Sequence, residues 1–530
     1  MVVGEGPCMS RKSLISASVL SGYLLWLGAG AVASQASEER TQLIMTKLPP
    51  SGSPAYEAIR KRAGEVVVQN LNLTKAEMWS VPKANAEAVT SAAASQSVEV
   101  APISADWNHI FVPMPAATAM TAEERTMVQR AMSSPAATEI ATFLPPRAAV
   151  VEYALTRDGG VPPSIRVSLN RETTVTIVRT HVTVKSDMLT WRGRVEGTGA
   201  PAMLMWWPGA QMVGVIHHEG RIYSIRCMHG IMHAIVQLNE QKLPPEHAPT
   251  PPRLRGDDPS LRDDPLVHQG DASILRSIIR GMHVAAAEVP EIQGKGALKR
   301  VPPSSAQATQ DIVIDVIVAY TKKVANNYTD VTRELIEFAI EESNESFRLS
   351  NLGHVKLRLV HAYQTDYVEE GVHFDHVWRF ADADDGYMEE IHELRNKYRA
   401  DVAVLIVDDP KGCGLATRVF ADADEAFAVV HHDCAALTYS VAHEIGHIIG
   451  ARHEISMDKT MTPFPYGHGY VNGTKWRDIM SYRQSCNGCQ RVPVWSNPDV
   501  FIKGEAAGTA DFQNNARVIA EQAARVAAFR

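Results

Sequence analysis

The run His443–His453, with the sequence HEIGHIIGARH, constrains the fold of this chain more than any other stretch. His443 and His447 stand at positions i and i+4, so a helix presents both imidazoles on one face, one turn apart. Two histidines and a glutamate are poor core residues unless something binds them. The apolar residues around them are typical of a helix whose opposite side is buried: Leu437, Val441, Ile445, Ile448 and Ile449.

This pattern predicts a catalytic zinc site. Two imidazoles at this spacing suit one Zn²⁺ ion, which binds histidine nitrogens at about 2.0–2.1 Å. Gly450 lets the chain leave the helix in a conformation that a Cβ resists, which brings His453 back as a third ligand. Three protein ligands leave one position for water, as in catalytic rather than structural zinc sites. Glu444, beside the first ligand, is placed to take the proton of that water.

Several strings carry a family resemblance. The run 443–453 resembles the extended signature of the metzincin zinc endopeptidases, and Asp478–Tyr482 (DIMSY) resembles their Met-turn. Other strings are similar to the reprolysin-like, secreted bacterial peptidyl-Asp metalloendopeptidases: AFAVVHHDC at 426–434, YGHGY at 466–470, WRDIMSY at 476–482, WSNPDV at 495–500 and the C-terminal residues 514–530. One position departs from that family, since residue 454 is Glu where the family usually carries Asp.

The resemblance implies an α/β (α+β) catalytic domain with a mixed five-stranded sheet and a zinc helix. It also implies that Met480 supports the zinc ligands from below, although a Met is more often core filler. Tyr482 would ligate the resting metal or hydrogen-bond the oxyanion, and a packed tyrosine is the alternative. The strand before the zinc helix, Ala426–Val430, is expected at the sheet edge, where it would bind extended substrate.

Cleavage on the amino side of Asp is also implied only by the resemblance. A substrate carboxylate in the pocket would require a guanidinium or ammonium partner. Arg477, Arg483 and Arg491 lie in the region expected to form the pocket wall beside the Met-turn, but exposed arginines are common and none is singled out.

The chain of 530 residues allows roughly two to four domains. Residues 1–33 place Arg11 and Lys12 before an apolar run that ends in Ala31-Val32-Ala33, which predicts a cleaved signal peptide, with a membrane anchor as the alternative. We therefore expect secretion, to the extracellular space or the periplasm, and no stable membrane insertion. Residues 34–145 form an N-terminal pro-region that the sequence defines poorly.

Residues 146–242 contain short β-like runs at 175–178, 203–207, 213–216 and 234–236, separated by turn signals. They predict a β-rich propeptide domain, or a substrate-binding module kept in the mature protein. Residues 243–310 are rich in Pro, Asp and Arg and indicate an exposed linker. Its candidate processing sites are Lys299-Arg300, Asp311 and the Asp pairs at 257–258 and 263–264.

Residues 311–530 alternate apolar strands with helical segments, which predicts a mixed sheet packed on helices. Strands are expected at 312–319, 355–363, 402–407 and 426–431, and helices at 331–349 and 388–398. This span is the predicted zinc peptidase domain.

Six cysteines remain to be assigned. Cys8 lies in the signal. Cys413 with Cys434, and Cys486 with Cys489, are candidate disulfides in an exported protein; the C-x-x-C lacks the second pair that a structural metal site needs. Cys227 is then unpaired in the propeptide candidate, and its thiolate would be the fourth zinc ligand of a silent zymogen, or else a buried free thiol.

The predicted function is a secreted zinc endopeptidase made as a zymogen, whose partners are protein or peptide substrates and its own propeptide. The net charge of −8 indicates no nucleic-acid partner. The alternative is an exported adhesin or binding module that keeps a metallopeptidase fold without turnover.

Overall fold

The computed structural model describes residues 39–103, 106–114, 119–157, 163–185, 187–208, 211–246 and 311–530. The predicted signal peptide, Cys8 and the processing sites at 257–258, 263–264 and 299–300 lie outside the described residues. Within the described residues, no helix is both long and apolar enough to span a membrane.

The first unit is a small sheet with two helices on it. Its antiparallel strands, in the order β2-β3-β1-β4, are β1 (Arg40–Thr46), β2 (Val67–Leu71), β3 (Ala76–Pro82) and β4 (Glu99–Pro102). The helices are α1 (Pro54–Ala63) and α2 (Ala86–Ala94). The Ser53 side chain caps α1 by accepting the Tyr56 N–H, and Pro54 occupies the first turn, where no N–H is needed.

The second unit is a closed barrel in the order β10-β11-β12-β13-β6-β5-β7-β8-β9. Its strands are β5 (His109–Pro113), β6 (Ala137–Leu144), β7 (Ser164–Ser168), β8 (Thr174–Val184), β9 (Leu189–Val195), β10 (Pro201–Trp207), β11 (Gln211–His218), β12 (Arg221–Cys227) and β13 (His233–Leu238). Helices α3 (Ala122–Ser133) and α4 (Ala148–Thr156) connect these strands. The predicted β-runs are confirmed, but the barrel also takes β5 and β6 from the stretch that the sequence defines poorly.

Strand β10 shows why the barrel sequence lacks clear alternation. Leu204 and Trp206 belong to the barrel interior. Met203, Met205 and Trp207, on the other face, belong to a core shared with the peptidase domain. A strand that is buried on both faces has apolar residues at successive positions.

The third unit begins at residue 311 and contains a mixed sheet in the order β15-β14-β16-β18-β17. The strands are β14 (Ile312–Tyr320), β15 (Val355–Gln364), β16 (Val402–Val407), β17 (Gly414–Ala416) and β18 (Phe427–His431). All neighbours are parallel except β17 and β18. The mixed sheet is confirmed.

The prediction that 426–430 forms the sheet edge is wrong. Strand β18 lies between β16 and β17, and the three-residue β17 holds the edge. A strand as short as Gly414–Ala416 leaves no periodicity to recognise, and strand order depends on chain crossovers rather than on local sequence.

The helices of this unit are α5 (Lys322–Ala325), α6 (Phe338–Leu349), α7 (His373–Ala381), α8 (Glu390–Tyr398), α9 (His432–Ala435), α10 (Ser440–Ile449) and α11 (Asn515–Val526), and Thr332–Glu337 is wound as a π-helix ahead of α6. Short strands complete it: β19 (Val471–Asn472), β20 (Trp476–Arg477), β21 (Gln490–Arg491), β22 (Asn497–Ile502) and β23 (Glu505–Ala507). Arg525 on α11 donates hydrogen bonds to the Ile448 and Ile449 carbonyls at the end of α10, at 3.2 Å each. These bonds satisfy carbonyls that a helix leaves free at its C-terminus.

Candidate metal centre

Helix α10 is buried along its whole length. Gly446 allows the side chains below the helix to come close, since a Cβ there would lie 2.6 Å from the Trp495 ring and 3.3 Å from the Met480 sulfur. The helix ends at Gly450, whose φ of 132° is a conformation that residues with a Cβ rarely adopt. The chain then turns back and brings His453 over the helix.

Three imidazoles meet at one point beside this turn. The Nε2 atom of His453 lies 3.0 Å from Nε2 of His443 and 2.9 Å from Nε2 of His447. Each of the three residues is more than nine-tenths buried. The sequence therefore predicted correctly which histidines come together.

Backbone carbonyls orient two of these rings. His443 Nδ1 lies 2.9 Å from the Ile479 carbonyl, and His447 Nδ1 lies 2.9 Å from the Ala451 carbonyl. We assign the ring protons to Nδ1, since a carbonyl can only accept, so both Nε2 lone pairs point to the common centre. His453 Nδ1 is buried and has no hydrogen-bond partner among the described residues.

This donor set fits one metal cation. Burial lowers the pKa of His447 to about 4 and those of His443 and His453 well below the usual value, so all three rings are neutral ligands at neutral pH. Converging lone pairs repel one another unless a cation lies between them. Tetrahedral coordination at 2.0–2.1 Å needs nitrogens about 3.3 Å apart, close to the observed spacing.

The side chain of Glu444 extends from α10 towards the edge strand β17. A Cβ on Gly414 would lie 2.5 Å from its Oε1, so only glycine fits beside this carboxylate. Burial raises the pKa of Glu444 to about 8, against a hydrogen bond from the Ala416 backbone that lowers it. A cation at the imidazoles would counteract the effect of burial and lower this pKa, which favours the carboxylate, the form that can accept a proton.

The Met-turn is fixed by buried hydrogen bonds. Asp478 accepts from the Ser481 hydroxyl at 2.5 Å and from the Ser496 N–H at 3.1 Å. Met480 is fully buried below the helix. The Tyr482 ring centre lies 4.3 Å from that of His453, and burial raises the pKa of Tyr482, so its phenol stays a donor.

Glu454 is a residue whose role the sequence did not reveal. It is buried, and its carboxylate accepts the Tyr482 N–H at 3.1 Å and the Ser485 hydroxyl. It thus fixes the chain after the Met-turn directly beside the third imidazole. The departure from the family at position 454 was the available signal.

Among the three arginines beside the Met-turn, Arg477 and Arg491 are buried, with 1% and 6% of their side chains exposed. Arg483 is half-buried. Burial of two guanidinium groups beside each other requires anionic partners.

The two predicted disulfides, Cys413–Cys434 and Cys486–Cys489, are present. Cys227 is a buried free thiol at the end of β12, and burial raises its pKa to about 11. Its sulfur is not part of the cluster of ligand atoms that His443, His447 and His453 form. This placement does not support the predicted zinc switch.

A second group of metal-binding side chains comprises Asp408, His431 and His432. Here the carboxylate pairs with His432 Nε2 at 3.1 Å, and the neighbouring Asp433 pairs with Arg226 of the barrel at 3.2 Å. Burial lowers the pKa of His432, but Asp433 and Asp408 together raise it above the usual value. The members of this group are thus paired with one another and with Arg226, and we assign no metal to it.

Comparisons with known proteins agree with this geometry. The model of the metallo-peptidase family M12 of the Reprolysin_5 type matches residues 310–493. A peptidyl-Asp metalloendopeptidase of Xanthomonas campestris is 34% identical over 323 residues, which cover 61% of this chain and 68% of that protein. A protein of the same name from Stenotrophomonas maltophilia is 33% identical, covering 61% of this chain and 69% of its own length.

Two further matches are shorter or weaker. The peptidyl-Asp metalloendopeptidase of Pseudomonas fragi is 32% identical over 191 residues, 36% of this chain and 100% of that protein. The crystal structure of metalloproteinase-II from Bacteroides fragilis, 13% identical, aligns over 66% of this chain and 92% of its own with a TM-score of 0.35, too low to support an argument. From the family model and the relatives, the chain belongs to the reprolysin-like M12 metallo-peptidases and is a metalloendopeptidase of the group that contains the peptidyl-Asp enzymes.

Proposed function

We propose that this protein is a secreted, zinc-dependent endopeptidase made as a zymogen, which cleaves peptide bonds on the amino side of Asp. One Zn²⁺ would be held by His443, His447 and His453. The observation that carries this proposal is the convergence of three buried Nε2 atoms, 2.9 and 3.0 Å apart, beside the buried Glu444.

Glu444 acts as general base and then as general acid. When bound, zinc polarises the scissile carbonyl and lowers the pKa of a bound water to about 7. The Glu444 carboxylate accepts a proton from the attacking water as the new C–O bond forms. It then gives this proton to the leaving amine as the C–N bond breaks. The Tyr482 phenol donates a hydrogen bond to the oxyanion that develops on the carbonyl oxygen.

The substrate backbone binds along the edge strand β17. An extended peptide adds to an exposed sheet edge through main-chain hydrogen bonds, and Gly414 of this strand lies against Glu444. This position would bring the scissile bond to the proposed base. The preference for Asp is supported by the names of the relatives and by the buried guanidinium groups of Arg477 and Arg491.

The described N-terminal residues, 39–246, would form the propeptide. Their barrel shares a hydrophobic core with the peptidase domain, which is expected of a part that stays bound until it is removed. Export is supported by the signal-like residues 1–33 and by the two disulfides, which form in oxidising compartments. Removal of the propeptide would occur within 247–311.

Casein and a peptide library with Asp, Glu or Leu after the scissile bond test this function. We expect hydrolysis that a chelator abolishes and added Zn²⁺ restores, with cuts before Asp. Metal-loaded, processed protein that cleaves neither casein nor any peptide would instead support the adhesin or binding module without turnover.

A further inference from the structure

The last described residues of the N-terminal region, 243–246, lie against the peptidase domain beside β17 and the Met-turn. After a 3₁₀ turn at Glu240–Lys242, the chain continues through Leu243 to Glu246. The Pro245 carbonyl accepts the Cys413 N–H at 2.9 Å, directly before the edge strand β17. This main-chain hydrogen bond lies next to the sheet edge to which an extended peptide could add.

Glu246 inserts its carboxylate between Arg477, Arg483 and Arg491, the arginines beside the Met-turn. Only 9% of its side chain is exposed. Its Oε2 accepts the Arg483 backbone N–H at 2.7 Å, and its Oε1 accepts from Arg477 Nη2 at 3.3 Å and, more closely, from Arg491 Nη2. Although burial raises the pKa of Glu246, Arg491 and Arg477 lower it further, below the usual value, so the group is an anion.

This carboxylate pocket adjoins the metal centre. Arg491 donates to the Thr438 carbonyl just before α10, at 2.7 Å, and to the Ser481 carbonyl of the Met-turn, at 3.3 Å. Arg483 directly follows Tyr482, whose ring contacts His453. Residues 245 and 246 therefore extend from the strand beside Glu444 to the loop beside the third imidazole, which is the course expected of a substrate.

The arginines need a replacement anion once this segment leaves. Among the described residues, the ion-pair partners of Arg477 and Arg491 are Glu240 and Glu246, both N-terminal to the predicted processing sites. Removal of 39–246 would take away both carboxylates and leave the two guanidinium groups with carbonyl acceptors and water. Two adjacent guanidinium groups without an anion favour a ligand with a carboxylate, which can accept charge-assisted hydrogen bonds from both.

We propose that Arg491, Arg477 and the Arg483 backbone N–H form the pocket for the carboxylate of the substrate residue after the scissile bond, and that Glu246 fills this pocket in the full chain as an internal competitor. The inference rests on the proposed endopeptidase function and gives its acidic preference a structural basis. Arg477 also donates to the Ser481 carbonyl at 3.1 Å and so supports the loop. Arg491 also supports this loop, but its guanidinium is the closer of the two to the Glu246 carboxylate, so Arg491 is the target for substitution.

The first test uses processed, zinc-loaded enzyme and two peptides that differ only in Asp or Leu after the scissile bond. Arg491→Gln should lower kcat/KM for the Asp peptide at least about 100-fold, mainly through KM, and change the Leu peptide less than about 3-fold. Arg491→Lys keeps the charge but loses the two-pronged donor geometry of the guanidinium, so its kcat/KM for the Asp peptide should lie between those of the wild type and Arg491→Gln. Arg517→Gln, an exposed arginine paired with Glu521, is the matched control and should change neither.

The outcomes separate the two proposals. Wild-type enzyme that cleaves neither peptide contradicts the proposed function itself. Suppose instead that the wild type prefers the Asp peptide and that both Arg491→Gln and Arg491→Lys keep its ratio of kcat/KM for Asp over Leu. This result would contradict the proposed pocket but not the proposed function. Zinc content and the thermal midpoint of each variant show whether it is folded; if Arg491→Gln is not, the Lys variant and the second test decide.

The second test asks whether Glu246 competes with substrate in the full chain. A Glu444→Gln background prevents self-cleavage, and fluorescence anisotropy measures binding of the Asp and Leu peptides. Adding Glu246→Ala should tighten the Asp peptide at least about 10-fold and leave the Leu peptide nearly unchanged. The control Arg192→Gln breaks other ion pairs between the N-terminal region and the peptidase domain, those of Arg192 on β9 with Glu341 and Glu345 on α6. An unchanged affinity in Glu246→Ala, or an equal gain in Arg192→Gln, would contradict the competitor role.

Discussion

The N-terminal region and the metal centre of the peptidase domain both bury histidines or glutamates, but their polar atoms find partners in different ways. In the barrel, His233 is fully buried, with Nε2 accepting the Met212 N–H and Nδ1 facing the Ile231 carbonyl, both at 3.0 Å. On α4, Glu152 accepts two backbone N–H groups and the Thr74 hydroxyl. In the peptidase domain, the Nε2 atoms of three imidazoles face only one another.

The difference shows how to distinguish structural from functional burial of polar groups. A buried group whose protein partners complete its hydrogen bonds stabilises the fold by itself. Buried groups that converge without donors between them indicate a ligand that the chain does not supply. The comparison therefore predicts two outcomes. Substituting a buried polar group that has protein partners should change stability, and substituting a group of the metal centre should change activity.

The largest expected effect is on turnover. Glu444→Gln should lower kcat on the order of 10²–10⁴-fold because it removes the proton acceptor, while the processed enzyme keeps one zinc per chain. Steady-state kinetics and metal analysis measure the two quantities. Glu152→Gln is the matched substitution of a buried glutamate in the other region; it should lower the stability of the full chain, and it is absent from the processed enzyme. A Glu444→Gln enzyme with near wild-type kcat would remove the distinction between the two kinds of burial.

Metal removal should affect one region only. A chelator is expected to destabilise the peptidase domain by about 4 kcal/mol, the linkage energy at a free metal concentration 1,000 times the dissociation constant. Hydrogen exchange read by mass spectrometry resolves the two regions in the full chain. Protection should fall in α10 and the Met-turn and stay constant in the barrel. Equal loss in both regions would show that the metal centre also supports the barrel.

The disulfides sharpen the comparison, because both lie in the peptidase domain. Replacing Cys413 and Cys434 by Ser should cost about 3 kcal/mol, since this bridge spans 21 positions and restricts the unfolded chain. The same change at Cys486 and Cys489 should cost about half as much, because that bridge spans 3 positions. Urea unfolding of the processed enzyme measures both values. A larger cost for the short bridge would argue against the loop-entropy account.

The smallest expected effect at neutral pH is that of the barrel histidine His233, because it appears only on acidification. Burial lowers the pKa of His233 to about 4 from an unfolded value of 6.5. The stability that its neutral form contributes is complete above pH 6.5 and is lost as the pH falls from 6.5 towards 4, by about 2–3 kcal/mol. The pH slope of the barrel's unfolding free energy corresponds to the uptake of close to one proton by this residue. His233→Gln should remove that part of the slope, which hydrogen exchange of β11 to β13 at several pH values measures. An unchanged pH slope would assign the sensitivity to other groups.

Much of the metal centre was predictable because its signals are local. The spacing of His443 and His447 follows from the helical repeat, and the role of Gly450 follows from backbone sterics. The strands of the peptidase sheet were also recognisable, because buried parallel strands consist of short runs of β-branched residues. The position of β18 inside the sheet was not, since a neighbour in the sheet is set by a crossover.

Other features depended on contacts that join distant parts of the chain. No pattern in the sequence predicts that β5 and β6 join the barrel or that Glu454 binds the Tyr482 N–H. The same is true of the position of Cys227 outside the cluster of imidazoles. The linker prediction began at 243, yet Leu243–Glu246 lies against the peptidase domain. Composition identified an exposed segment, but it does not show where such a segment docks.

By itself, the sequence determined which three histidines meet, the glutamate beside them, the two disulfides and the alternation of strands and helices, because each follows from spacing or chemistry within a short stretch. Only the tertiary structure decided which strand forms the edge, how nine strands close into a barrel, and that Glu246 meets Arg477 and Arg491. The physical reason is range: a helix or a turn is specified by neighbours in the chain, whereas a buried ion pair between residues 245 positions apart is specified by the packing of the whole molecule.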